Sequence, residues 1–192
     1  MPVKLNSSGG GSVTLDVPST ANNFTATIPA NTGTVVTTGS TAAVTQGMLA
    51  AGVAGNGPAF SAYLGSGQSI SNNVFTKLNL NIETFDTDGR FDNSLYRFTP
   101  NVAGYYFVTG SSTIPGGDYA SVYIYKNGSL IKSGIVGAAA NSPYGVNVCG
   151  LVYMNGTTDY VELYAYQASG GSRTASAGAN LTYFDGFLAR AA

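Results

Sequence analysis

The side chains that could do acid–base or metal chemistry form one cluster of four carboxylates: Glu83, Asp86, Asp88 and Asp92. Asp86 and Asp88, followed by glycine, have the spacing that opens a calcium-binding loop, and carboxylate oxygens are ligands that hard cations prefer. An EF-hand loop also needs a glutamate at its twelfth position, which is Arg97 here. Aspartates that bond to their own backbone explain the pattern more simply, so we predict a turn.

A second chemistry open to two carboxylates is glycoside hydrolysis, with one acting as acid and the other as base. The chain has no tryptophan, the residue that commonly forms the platform of a sugar cleft, and it has no histidine. The absence of histidine excludes the Ser-His-Asp and Cys-His nucleophile systems. One cysteine without histidine cannot build the usual zinc sites within one chain. We therefore predict no catalytic residue, no metal, no cofactor and no enzymatic activity.

Cysteine and tyrosine are the other side chains with chemical potential. Cys149 lies in an apolar stretch, and we expect a buried thiol that behaves as a small hydrophobe. Several of the thirteen tyrosines fall on shared strand faces, Tyr123 with Tyr125 and Tyr164 with Tyr166. Tyr160 falls on the same face as the second pair. Such faces either pack within an oligomer, the interpretation we favour, or contact a receptor or glycan.

Short strands must position these residues. Residues 76–83 alternate strictly between polar and apolar side chains, and residues 104–110 form an apolar run suited to burial on both faces. Three dipeptides, Asp88-Gly89, Asn127-Gly128 and Asn155-Gly156, are typical of tight hairpins. Regular turn signals between short strands predict an all-β sandwich or jelly roll.

The distribution of charge divides the chain. No charged residue lies between Asp16 and Lys77. Turn residues and a proline at 55–58 suggest a boundary that separates an N-terminal arm, residues 1–56, from a head, residues 57–192.

Within the arm we predict short strands at 12–18, 24–29 and 34–38 and a short helix at 41–54. Three short strands bury too little apolar surface to be stable alone. The arm should therefore need a partner, either identical chains or another protein.

Charge and hydropathy also exclude several partners. The formal net charge is −1, and the basic residues do not form the patch that binding to nucleic acid requires. No apolar run is long enough to span a bilayer. The first residues lack the apolar segment of a signal peptide, so we expect a protein released into the cytoplasm.

The order of landmarks in the second part of the chain resembles a known family. Four features follow one another as in the complement one-q globular head. They are the segment from Ala59 to Leu64, the motif that runs through Phe98, Pro100, Gly104 and Phe107, the segment 122–128 and the ending Tyr183 to Leu188. The resemblance covers residues 57–192. It implies a ten-stranded jelly roll, shared with tumour-necrosis-factor-like heads, that forms homotrimers. It also implies four aromatic residues in the core of the head: Phe60, Tyr106, Phe107 and Phe187.

The Gly- and Ser-rich start and the short β segments of the arm resemble fibre and decoration proteins of tailed bacteriophages. This resemblance implies a non-enzymatic virion protein, assembled in the host cytoplasm. The protein would be a trimeric capsid decoration or head-fibre protein that binds a capsid or tail protein through residues 1–56. The alternative is a tail-fibre tip that recognises a glycan or protein on the host surface.

Overall fold

The computed structural model describes residues 3–6, 8–15, 57–116, 119–137 and 145–192. They belong to two units, of which the first contains a hairpin and the second contains the head. Among these residues, none forms an apolar helix of membrane-spanning length. Three predicted elements lie outside the described residues: the strands at 24–29 and 34–38 and the helix at 41–54. The boundary between arm and head at residue 56 stays a prediction.

The first unit contains two antiparallel strands, β1 (Val3–Asn6) and β2 (Ser12–Leu15). Between them, Gly10 has a φ of 84°, a backbone conformation that glycine adopts at no steric cost. The strand predicted at 12–18 therefore begins where the sequence indicated.

The described part of the head contains thirteen strands. They are β3 (Ala59–Tyr63), β4 (Gln68–Ile70), β5 (Thr76–Lys77), β6 (Ile82–Asp86), β7 (Phe91–Asp92), β8 (Arg97–Phe98), β9 (Gly104–Thr113), β10 (Tyr119–Lys126), β11 (Ser129–Gly137), β12 (Gly145–Met154), β13 (Val161–Gln167), β14 (Arg173–Ala175) and β15 (Tyr183–Ala191).

These strands form two main sheets. One sheet has the order β12-β9-β15-β3-β6. The other has the order β11-β10-β13-β8-β7, with β5 also paired to β13. Strands β4 and β14 form a small sheet of their own. All of these strand pairs are antiparallel, and the described residues contain no helix. The described residues are thus all-β, and the head is a jelly roll, as the sequence predicted.

An aromatic cluster fills the core between the two main sheets. The fully buried ring of Phe60 stacks on Phe98, with ring centroids 4.3 Å apart, and meets Phe184 edge to face at 5.1 Å. The Tyr106 ring packs against Phe98, and its hydroxyl donates a 2.8 Å hydrogen bond to the carbonyl oxygen of Val102. A buried phenol with its donor satisfied contributes apolar contact without the cost of an unpaired polar group.

The three predicted hairpin signals have different outcomes. Asn127 and Gly128 have φ values of 51° and 76° and join β10 to β11 in a two-residue hairpin. Asp88-Gly89 and Asn155-Gly156 instead lie in connections between strands of different sheets. A dipeptide that favours positive φ specifies a turn, but it does not specify that the flanking strands pair.

The alternating segment 76–83 is not one strand. It contributes to β5 and β6, and the residues between them are outside regular strands. Leu78 and Leu80 are fully buried, whereas Ile82 is exposed. The shared face predicted for the three residues is therefore limited to the first two.

Candidate functional site

One face of the five-stranded sheet carries large apolar side chains that the head does not cover. Strand residues alternate between the two faces of a sheet, so one set points to the core and the other points outward. The outward set, here called the apolar face, consists of Phe85, Tyr105, Phe107, Leu151, Tyr153 and Phe187.

The strand register joins these residues into one patch. Leu151, Phe107 and Phe187 lie side by side on three neighbouring strands. Leu151 is 59% exposed and Phe187 50% exposed. The Phe107 and Phe187 rings lie 5.8 Å apart, and Tyr105 and Tyr153 pack edge to face in the next row. Monomeric soluble proteins rarely leave so many adjoining apolar side chains in water, which makes this face a candidate interface.

The four aromatics expected in the core divide between the two sides of this sheet. Phe60 and Tyr106 are fully buried in the core. Phe107 follows Tyr106 directly in β9, so its side chain points to the opposite face and belongs to the apolar face.

Phe187 is likewise not a core residue of the head. Gly186 faces inward, where a Cβ atom would lie 2.8 Å from Cε1 of Phe60. The absence of a side chain at Gly186 thus leaves room for the Phe60 ring, and alternation places Phe187 outside.

Polar and sulfur-containing side chains also lie on this face. Cys149, expected to be buried, is exposed, since it alternates with the buried Val148 in β12. Asp185 pairs with Thr109 in the middle of the sheet, and its Oδ1 is buried without a hydrogen-bond partner among the described residues. Burial raises the pKa of the Asp185 carboxyl, and a hydrogen bond with Ser61 offsets this only in part.

The sequence contained a signal for this face that motif matching missed. The apolar run 104–110 indicated a strand buried on both faces, but the head buries only one face of β9. A partner on the outer face would complete that burial.

The acidic cluster has the structure of backbone-bonded turns. Asp86 accepts hydrogen bonds from the backbone N–H groups of Asp88 and Phe91. Asp92 Oδ1 accepts from Ser94, through both its hydroxyl and its backbone, and from the backbone of Leu95. The Ser94 hydroxyl is the main cause of the lowered pKa of Asp92. Asp86 and Asp92 therefore stabilise turns. No group of three or more metal-ligating side chains occurs in the described part of the chain.

The second main sheet carries a groove lined by aromatic rings on its outer side. This aromatic groove has a volume of about 400 Å³ and is lined by Phe75, Tyr119, Tyr123, Tyr166 and Ala168. Phe75 lies 5.0 Å from both Tyr123 and Tyr166, measured between ring centroids. Two of the tyrosines predicted on shared strand faces, Tyr123 and Tyr166, therefore meet at this groove, and Tyr125 stacks on Tyr164 with ring centroids 4.1 Å apart.

The head is similar in fold to several solved structures. The globular domain of zebrafish complement 1qA protein matches with 15% sequence identity and a TM-score of 0.50, covering 70% of this chain and 99% of that chain. Eiger TNF from S. frugiperda matches with 8% identity and a TM-score of 0.55, covering 70% and 95% of the two chains. The phage PRD1 vertex protein P5 matches with 15% identity and a TM-score of 0.51, covering 68% and 96%.

No family model and no curated protein sequence matches the chain. The similarity to solved structures shows a jelly roll of the complement one-q and tumour-necrosis-factor type.

Proposed function

We propose that the protein is a non-enzymatic structural protein of a tailed-phage virion, a trimeric capsid decoration or head-fibre protein. The observation that carries the proposal is the apolar face, which gives the head a surface built for association with copies of itself. The similarity of the fold to a phage vertex protein supports a place in the virion. The use of Asp86 and Asp92 in turns supports a structural role over a catalytic one.

In this proposal, three heads associate through their apolar faces. Stable interfaces of permanent oligomers are more apolar than the ordinary protein surface and are rich in aromatic residues. The apolar face matches that composition, since five of its six side chains are aromatic: Phe85, Tyr105, Phe107, Tyr153 and Phe187. Association would also cover Cys149, which lies on the same side of β12 as Leu151.

Residues 1–56 are proposed to fasten the trimer to a capsid or tail protein. The uncharged stretch that begins after Asp16 suits a segment buried against partners, because each buried charge would need compensation. Docking of the arm on a partner would supply the apolar burial that three short strands lack by themselves.

The proposal is tested by comparing the full chain with a fragment of residues 57–192, which retains the aromatic core around Phe60. Both proteins should sediment as trimers. Only the full chain should bind phage particles prepared without this protein, measured by co-sedimentation with the particles. Binding of the fragment at the level of the full chain would show that the arm is not the anchor, and a monomeric fragment would contradict the trimeric head.

The aromatic groove favours a second candidate, a tail-fibre tip that contacts the host surface, because tyrosine is enriched where proteins bind partners. Labelling the protein in intact particles separates the two candidates by electron microscopy. A decoration protein should appear over the whole capsid shell, whereas a fibre tip should appear only at the tail.

A further inference from the structure

A second groove on the head differs in chemistry from the apolar face and from the aromatic groove. This polar groove has a volume of about 390 Å³. It is lined by Leu64, Ser66, Gly67, Gln68, Ser69, Asn79, Asn81 and Tyr96. The lining comes from the connection between β3 and β4, the first residues of β4, the segment after β5 and the turn before β8.

Tyr96 is held at this groove in a strained backbone conformation. Its φ is 53°, in the left-handed region, which costs a residue with a Cβ roughly 1–2 kcal/mol. The preceding turn is fixed by Asp92, which accepts hydrogen bonds from the backbone of Ser94 and Leu95. Strain of this kind persists where the surrounding structure imposes it, and it concentrates at ligand sites.

Two amide side chains in the groove are fixed by hydrogen bonds to the backbone. Gln68 donates from Nε2 to the carbonyl oxygen of Lys77 and accepts from the N–H of Asn79, both at 2.8 Å. Asn81 Oδ1 accepts from the N–H of Gly65 at 3.0 Å. These bonds orient the amide planes but use only one N–H of Gln68 and neither N–H of the Asn81 amide. The remaining donors are therefore preorganised for a ligand.

We propose that the polar groove binds an uncharged saccharide. Its lining offers amides, serine hydroxyls and one aromatic ring, and it includes no Lys, Arg, Asp or Glu, so the complementary ligand is neutral and rich in hydroxyl groups. A volume of this size suits a small ligand, since such pockets span roughly 300–1,000 Å³. A protein partner would instead need about 800 Å² of surface on each side. The proposal does not depend on the arm or on virion attachment.

The test uses the purified full chain and a panel of uncharged disaccharides built from glucose, galactose, mannose and N-acetylhexosamines. Binding is measured by saturation-transfer NMR and by calorimetric titration, with a sialylated oligosaccharide as the charged comparison. At least one neutral disaccharide should bind, and more tightly than the charged one. The proposal would be overturned if no neutral disaccharide bound at about 10 mM, a concentration that saturates a site with a dissociation constant of about 1 mM. A preference for the sialylated sugar would also overturn it.

The variant Tyr96→Asn separates binding from folding. Asparagine adopts the left-handed conformation more readily than tyrosine, so the variant should be at least as stable as the wild type while it loses the aromatic platform. We expect its affinity for the sugar to fall at least tenfold. A second variant, Asn81→Asp, keeps the oxygen that accepts from Gly65 but removes the amide donors, and its affinity should fall similarly.

The matched control is Tyr166→Phe, which removes one hydroxyl from the aromatic groove. It should bind the sugar with unchanged affinity. Loss of binding in this variant, together with unchanged binding in Tyr96→Asn, would place the sugar in the aromatic groove and refute the assignment to the polar groove. Neither result alters the expected attachment of the full chain to particles, so the two proposals fail independently.

Discussion

Replacing Leu151 by alanine should weaken the proposed trimer while leaving each head folded. Full burial of a leucine side chain contributes about 1.5–3 kcal/mol. Because 59% of Leu151 is exposed in the single head, association that covers it gains about 1–2 kcal/mol per protomer. Three copies give about 3–5 kcal/mol, which corresponds to a rise of roughly a hundred- to several-thousand-fold in the dissociation constant of the trimer.

Sedimentation velocity over a range of concentrations measures this change directly. The variant should dissociate at concentrations where the wild type stays trimeric. The thiol of Cys149 gives a second measurement, since a thiol-reactive dye should label it slowly in the trimer and quickly in the dissociated variant. The free energy of unfolding of the dissociated head should change by no more than about 0.5 kcal/mol, because Leu151 is exposed in the single head.

The matched control is Leu130→Ala, which removes a leucine that is 45% exposed in β11 of the other sheet. This variant should leave the oligomeric state and the labelling of Cys149 unchanged. Equal sedimentation of Leu151→Ala and the wild type at all concentrations would refute the assignment of the apolar face as the interface. Equal weakening by both leucine variants would also refute it, because the effect would then not be specific to one face.

Four further substitutions, one of them a control, test the packing of the head. Phe60→Ala removes the centre of the aromatic core and should cost about 3–5 kcal/mol, measured by urea unfolding. Gly134→Ala would place a Cβ 1.9 Å from the carbonyl oxygen of Asn147 and should lower the melting temperature, whereas Gly171→Ala, with no atom within 4 Å, should not. Asp185→Asn should raise the melting temperature at pH 7 by about 2–4 °C, a shift that corresponds to about 1 kcal/mol. Because burial raises the pKa of Asp185, the wild type loses stability as pH rises through that pKa, so the gain should vanish toward pH 4.

Local patterns in the sequence predicted some strands of the head, among them β9 through the apolar run 104–110, and one of its hairpins. Asn127-Gly128 specifies its hairpin because both residues adopt the positive φ that the turn requires. The buried positions of Phe60 and Tyr106 agree with what the resemblance to the complement one-q head implied. The sequence did not predict that the strands on either side of Asp88-Gly89, and those on either side of Asn155-Gly156, belong to different sheets. Pairing between distant strands depends on the packing of two whole sheets.

The candidate site was less predictable, because a motif identifies aromatic positions but not the side of the sheet to which each points. In β15 that side is determined by Gly186, which must face the ring of Phe60. The polar groove depends on the contact of three segments that are separate in the sequence. Asn81 and Tyr96 carry no local signal of a site. Asn81 is held at the groove by the N–H of Gly65, and Tyr96 follows the turn that Asp92 stabilises.

The close approach of Gly134 to Asn147 has a consequence for solubility. These residues lie in β11 and β12, each of which is the last strand on one side of its main sheet. A terminal strand with free backbone groups can recruit strands from other molecules and start aggregation. The carbonyl oxygen of Asn147 in β12 meets the backbone at Gly134, where only a glycine leaves room for it. At this position the backbone of β11 therefore occupies space that a strand from another molecule would need in order to pair with β12.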